Sequence, residues 1–89
     1  MPETFSLDRA YPNPFNPTTT LSFAIPVESE VSLSIYNVQG RVVSTLINGN
    51  IDAGYHSVVW DANFYASGVY FVKMIAGDFI STQKIMLIK

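Results

Sequence analysis

The chain contains no cysteine. Disulfides, thiolate nucleophiles and cysteine-based metal sites are therefore excluded, and packing alone has to hold the fold together. That absence does not fix a compartment, because extracellular domains also fold without disulfides. Charge is scarce as well: Asp, Glu, Lys and Arg make up 13% of the sequence, about half the usual share of ~25%. The five basic residues are spread along the chain, so nothing resembles the basic patch that neutralises phosphates, and nucleic acid is excluded as a partner. No apolar run approaches the ~20 residues needed to cross a bilayer as a helix. The opening "MPETFSLDRA" lacks the basic and apolar regions of a signal peptide. Helical periodicity is missing too, since no stretch sustains a 3.6-residue apolar repeat over ten residues.

What the chain has is apolar alternation. Apolar residues reach 48%, enough to exclude a disordered chain. In "LSFAI", Leu21, Phe23 and Ile25 share one face; in "VSLSIYN", Val31, Leu33 and Ile35 do the same. "RVVSTLI" reads as a third strand with apolar residues on both faces, and "NGNIDAG" as a loop marked by Asn48-Gly49. "YHSVVWD" is a fourth strand, with His56, Val58 and Trp60 on one face. In "VYFVKMIA", Lys73 marks the solvent side and turns Tyr70, Val72 and Met74 inward. Gly40 serves a turn, Gly77-Asp78 a tight hairpin, and "FISTQKIMLIK" the last strand, with a further short strand expected near "TFSL" or "FNPT". Short strands separated by turn formers predict an all-β fold: an immunoglobulin-like antiparallel β-sandwich of about seven strands. The 89 residues form a single domain, residues 1–89, with 1–10 as a lead-in or cloning remnant and 11–89 as the domain proper.

Catalytic constellations are not found. The single histidine, His56, has no second ring to share a metal and reads as a structural residue on a strand face. The acids fall at turns, without the spacing of a carboxylate pair or a calcium loop. No catalytic residue, metal ligand or cofactor site is assigned, and no enzyme activity is expected. Tyr36, Tyr55, Phe64, Tyr65 and Phe71 suggest a sugar-stacking platform, against the plainer reading that they cover core edges.

Two stretches break the pattern. "YPNPFNPTTT" holds three of the five prolines. Proline fixes φ, holds its predecessor extended and cannot donate to a ladder, so the stretch suits a sheet edge or a rigid lead-in to "TTTLSFAI". Tyr11 and Phe15 are its expected apolar anchors, and Asn13 and Asn16 are expected to bond locally to the backbone. At the other end, "KIMLIK" does not alternate: Ile85 and Leu87 lie on one face, Met86 and Ile88 on the other. Either the N-terminal segment covers the second face, or Met86 and Ile88 form a docking patch, with Lys84 and Lys89 as charges that a partner reads.

"YPNPFNP", "IYNVQGRVV", "GYHSVVWD", "SGVYFVK" and the terminal "KIMLIK" follow one another in an order that resembles the type A C-terminal sorting domain of the type IX secretion system, the Por secretion tail. The likeness runs from Tyr11 to Lys89. A similar layout belongs to the Ig-like domain of the flagellar hook-capping protein. The resemblance implies a non-catalytic address at the C-terminus of a secreted cargo protein of Bacteroidetes-type bacteria. It implies a domain folded in the periplasm, recognised by the outer-membrane translocon, and removed at the cell surface by a sortase-like protease. It places the family's PNP element at Pro12, Asn13 and Pro14 and its G-x-Y element at Gly68 and Tyr70. It places translocon recognition at Lys84, Ile85, Met86, Leu87, Ile88 and Lys89. Presentation of that strand to the translocon by strand addition along an exposed edge is the mechanism expected of it. An edge strand with two apolar faces is also a route to a homodimer. The alternatives are an Ig-like assembly module, as in hook capping, and a carbohydrate-binding module.

Overall fold

Period-two alternation becomes two packed inner faces. The computed structural model describes residues 2–89, with no helix among them. The strands are β1 (Ser6–Leu7), β2 (Thr18–Ile25), β3 (Ser29–Tyr36), β4 (Val42–Ile51), β5 (Gly54–Asp61), β6 (Gly68–Ala76) and β7 (Phe79–Leu87). All strand pairs are antiparallel, in two sheets ordered β1-β2-β5 and β4-β3-β6-β7. Leu21, Phe23 and Ile25 from the first sheet meet Val31, Leu33, Ile35, Val72, Met74, Ile85 and Leu87 from the second, all in the core. This is the expected seven-strand immunoglobulin-like sandwich, with its fourth strand held beside β3 in the larger sheet.

β4 corrects the sequence reading. Asn48-Gly49 is no turn: Asn48 pairs with Ser32 and Gly49 with Val31, and the strand runs on to Ile51. An Asn-Gly hairpin turn needs positive φ, and the positive-φ glycines are Gly40, Gly54, Gly68 and Gly77. The ambiguous faces of "RVVSTLI" also resolve. The partner of Leu33 is Ile47 and that of Ser34 is Thr45, so Leu46 is an extra residue; Ile35 and Tyr36 pair with Ser44 and Val42, so Val43 is another. Each bulge resets the alternation, which lets Val43, Leu46, Ile47 and Ile51 all pack against the core. The turns at Gly40 (φ +82°) and Gly77 (φ +58°) stand as read.

Four aromatic residues, Phe15, Trp60, Tyr65 and Tyr70, gather in one cluster. Trp60 lies 5.7 Å from Phe15, 5.5 Å from Tyr65 and 5.5 Å from Tyr70, ring centre to ring centre. Tyr70, near the start of β6, donates its hydroxyl to the Ala66 carbonyl at 2.6 Å, the tyrosine corner of immunoglobulin-like sandwiches. Gly68 and Tyr70 thus open β6, with the Tyr70 hydroxyl tying the strand back to the residues before it. Tyr65 reaches across the sheets to donate to the Val43 carbonyl at 2.8 Å. Residues ahead of Tyr11, read as a lead-in, take part as well. Phe5 stacks on Phe79 at 5.6 Å, and β1 pairs with β2 through Ser6–Ala24 and Leu7–Phe23.

A Cβ added at Gly49 meets nothing within 4 Å, and the site is a strand position. Gly49→Thr is therefore expected to raise unfolding stability by about 0.5–1 kcal/mol. Gly40→Ala, at φ +82°, is expected to lower it by about 1–2 kcal/mol. Urea unfolding of both variants checks the strand and turn assignments together.

Candidate functional site: the clasped terminal strand

β7 presents three different sides. Ile85 and Leu87 point into the core and are essentially inaccessible. On the opposite face Met86 (38% exposed) and Ile88 (49%) meet solvent beside Lys84. The third side is the free edge, since β7 is the last strand of its sheet. An edge strand offers a row of unpaired N–H and C=O groups to any passing strand.

That edge is already taken by the Pro-rich segment. The Phe15 N–H donates to the Met86 carbonyl at 2.9 Å and the Ile88 N–H donates to the Phe15 carbonyl at 2.9 Å. This is a short parallel bridge between Phe15 and Leu87. Asn13 adds a two-pronged contact: its Oδ1 accepts from the Met86 N–H at 3.0 Å and its Nδ2 donates to the Lys84 carbonyl at 3.1 Å. Below it, Gln83 accepts from the Ala10 N–H at 2.8 Å and donates to the Asp8 carbonyl at 2.7 Å. The same segment is fastened to the other sheet. Tyr11 and Thr20 exchange backbone bonds, and the buried Thr19 hydroxyl donates to the Pro12 carbonyl at 2.8 Å. Pro17 accepts from the Ala62 N–H at 2.9 Å. The X-Pro bonds at Pro12, Pro14 and Pro17 are cis.

Residues 8–17, which link β1 to β2, are therefore a clasp: it lies on β2 at Tyr11, reaches β7 at Asn13 and Phe15, and returns to the first sheet at Pro17. Proline suits it because each missing N–H is one that no ladder needs there. Two expectations change. Tyr11 is no anchor, being 80% exposed, while Phe15 is fully buried against Trp60. Asn13 does not bond locally, because its partners lie more than seventy residues away. The N-terminal segment covers the edge of β7 and leaves the Met86/Ile88 face open.

Lys89 is tied down as well. Its N–H donates to the Ser67 hydroxyl at 3.1 Å, and its Nζ donates to the Asn63 carbonyl at 2.6 Å. Lys84 instead lines an open cavity of about 360 Å³ with Arg9, Ala10, Asn13 and Gln83. Sequence reasoning missed Gln83, Ser67 and Asn63. Gln83 had a readable signal: it shares the inward phase of Ile85 and Leu87, where a polar amide needs two partners.

Of the remaining candidates, only Tyr65 reaches this site, through Trp60. His56 stacks on Phe23 at 5.3 Å and donates through Nε2 to the Asp52 carbonyl at 2.8 Å, a structural contact. The five aromatics proposed as a sugar platform are dispersed. Tyr65 joins the Trp60 cluster, Tyr55 lies on β5, Tyr36 and Phe71 pair on the larger sheet, and Phe64 projects from a loop. Asp61 accepts from the Asn63 N–H at 3.0 Å, the turn-capping role expected of the acids.

The fold and clasp define a small immunoglobulin-like sandwich with its terminal strand displayed at one corner. The family model of the secretion system C-terminal sorting domain matches residues 9–89, and the chain belongs to that family. Domains of this family are the C-terminal sorting signals of type IX secretion. The chain is thus an address that sends the protein bearing it out to the cell surface or beyond. A search of curated proteins found no match.

Asn13→Ala removes two hydrogen bonds and is expected to cost about 1–2 kcal/mol. Phe15→Ala is expected to cost about 3–5 kcal/mol. In native-state hydrogen exchange, Asn13→Ala should accelerate the Met86 amide while leaving that of Ile85, which points to β6, at its global rate.

Proposed function

We propose that the export machinery reads the outward side chains of the terminal strand, Lys84, Met86 and Ile88, on a sandwich that stays closed. The division of β7 supports this reading. Its inward residues belong to the core, and its edge groups at residues 84, 86 and 88 are bonded to Asn13 and Phe15. Strand addition along this part of the edge has to break those bonds first. Reading side chains breaks none: Met86 and Ile88 offer apolar contact and Lys84 a charge. Ile85 and Leu87 then act by shaping the strand, and Lys89 by fastening the tail to Asn63 and Ser67. Pro12, Asn13 and Pro14 hold the strand in place, and Gly68 and Tyr70 support it from β6.

On this reading the domain has no catalytic part. It folds in the periplasm, carries an upstream cargo to the outer-membrane translocon, and is then acted on by a sortase-like protease at the surface. Deleting residues 85–89 is a poor test, because it removes two core side chains together with the signal. Outward substitutions separate the two effects. In a reporter fusion, Met86→Glu with Ile88→Glu is expected to abolish export while the isolated domain keeps its fold by circular dichroism. Asn13→Ala, which opens the edge, is expected to leave export unchanged or lower. Wild-type export of the folded double variant refutes side-chain reading, and enhanced export of Asn13→Ala points to strand addition instead.

A further inference from the structure

We propose that the edge of β5 is a strand-pairing surface for a second copy of this chain. This inference is independent of the sorting reading. Two sheets have four edges, and three are protected. β1 is only two residues long. The edge of β7 is bonded to the clasp at residues 84, 86 and 88. β4 carries two bulges in its first half, which kink the edge and leave only Ile47–Ile51 in regular register. β5 has none of these devices. It pairs with β2 through eight consecutive partners, Thr18–Asp61 to Ile25–Gly54, without a shift. Residues 54–61 contain no proline, lysine or arginine.

The backbone orientation follows from one bond. The Ala62 N–H donates to the Pro17 carbonyl, so Ala62 points toward β2. Alternation then aims the N–H and C=O groups of Tyr55, Ser57 and Val59 away from β2, along the open edge. The side chains of the same residues lie on the outer face, where Tyr55 is 75% and Val59 61% exposed.

A two-fold antiparallel pairing centred on Ser57 satisfies both requirements. Ser57 faces its own copy, and Tyr55 faces the second copy's Val59, twice over by symmetry. The pairing makes about six backbone hydrogen bonds, two for each of the three facing pairs. It also covers the two most exposed apolar side chains of the strand with an aromatic–β-branched match. Charge agrees: Asp61, the strand's only acid or base besides His56, falls outside the three facing pairs, so no like charges meet. The two three-stranded sheets become one of six strands.

Because the chain has no cysteine, Ser57→Cys introduces a unique thiol. A hydrogen-bonded antiparallel pair places its Cα atoms about 5.5 Å apart and its Cβ atoms slightly too far apart for a direct disulfide, so a short bis-maleimide linker is used to join the two thiols. With that linker Ser57→Cys is expected to form a covalent dimer, whereas Asn48→Cys, on β4, remains monomeric. Light scattering of the unmodified 89-residue chain from micromolar to millimolar concentration is expected to show a dimer that Val59→Lys abolishes, with Tyr55→Lys as a second variant should Val59→Lys fail to fold. A monomer at every concentration overturns the proposal. So does a dimer that survives these lysine substitutions, or one in which Ser57→Cys does not cross-link.

Discussion

Phe15 makes one body of two sheets. Its ring is buried against Trp60, and its backbone N–H and C=O hold Met86 and Ile88. Without a crossing segment, each sheet of a sandwich ends in an open edge, and only side-chain packing joins the pair. Here the chain leaves β1, passes through a three-proline stretch that touches β7 at Asn13 and Phe15, and only then enters β2. The same corner collects Tyr70 from β6, Tyr65 from the β5–β6 connection, and Lys89, which is fastened to Asn63 and Ser67. Sequence motifs spread from Tyr11 to Lys89 therefore meet in a few residues of space.

The strands that obey simple alternation were legible. Leu21, Phe23 and Ile25, Val31, Leu33 and Ile35, and Tyr70, Val72 and Met74 all face the core as the pattern requires. β4 escaped because its two bulges break the very periodicity by which strands are recognised, and because Asn48-Gly49 carries turn chemistry inside a ladder. A strand can absorb that dipeptide when a long-range partner, here β3, fixes the backbone extended.

The terminal-strand corner was half legible. The odd composition of "KIMLIK" and the rigidity of "YPNPFNP" were both apparent, as were the outward positions of Met86 and Ile88. Their contact was not, because it joins residues more than seventy positions apart through an asparagine side chain. Tyr11 and Phe15 looked alike as anchors, yet only Phe15 is buried in the core. The apparent freedom of Lys89 was likewise lost to a loop carbonyl that no local pattern foretells.

The parallel sense of the Phe15–Leu87 bridge has a mechanical consequence. In a parallel pair, the chain before Phe15 and the chain after Leu87 leave toward opposite ends of the molecule. Tension between them slides the two segments past one another and loads the Phe15 and Asn13 bonds together, in shear. A hairpin pulled from its open end would instead peel one bond at a time. Forced unfolding is governed by rate rather than by equilibrium stability, so a few well-aligned bonds count for more here than their free energy suggests. A short proline-rich strap thus places its bonds to the terminal strand in shear, not in peeling geometry, for a pull between the two ends of this disulfide-free domain.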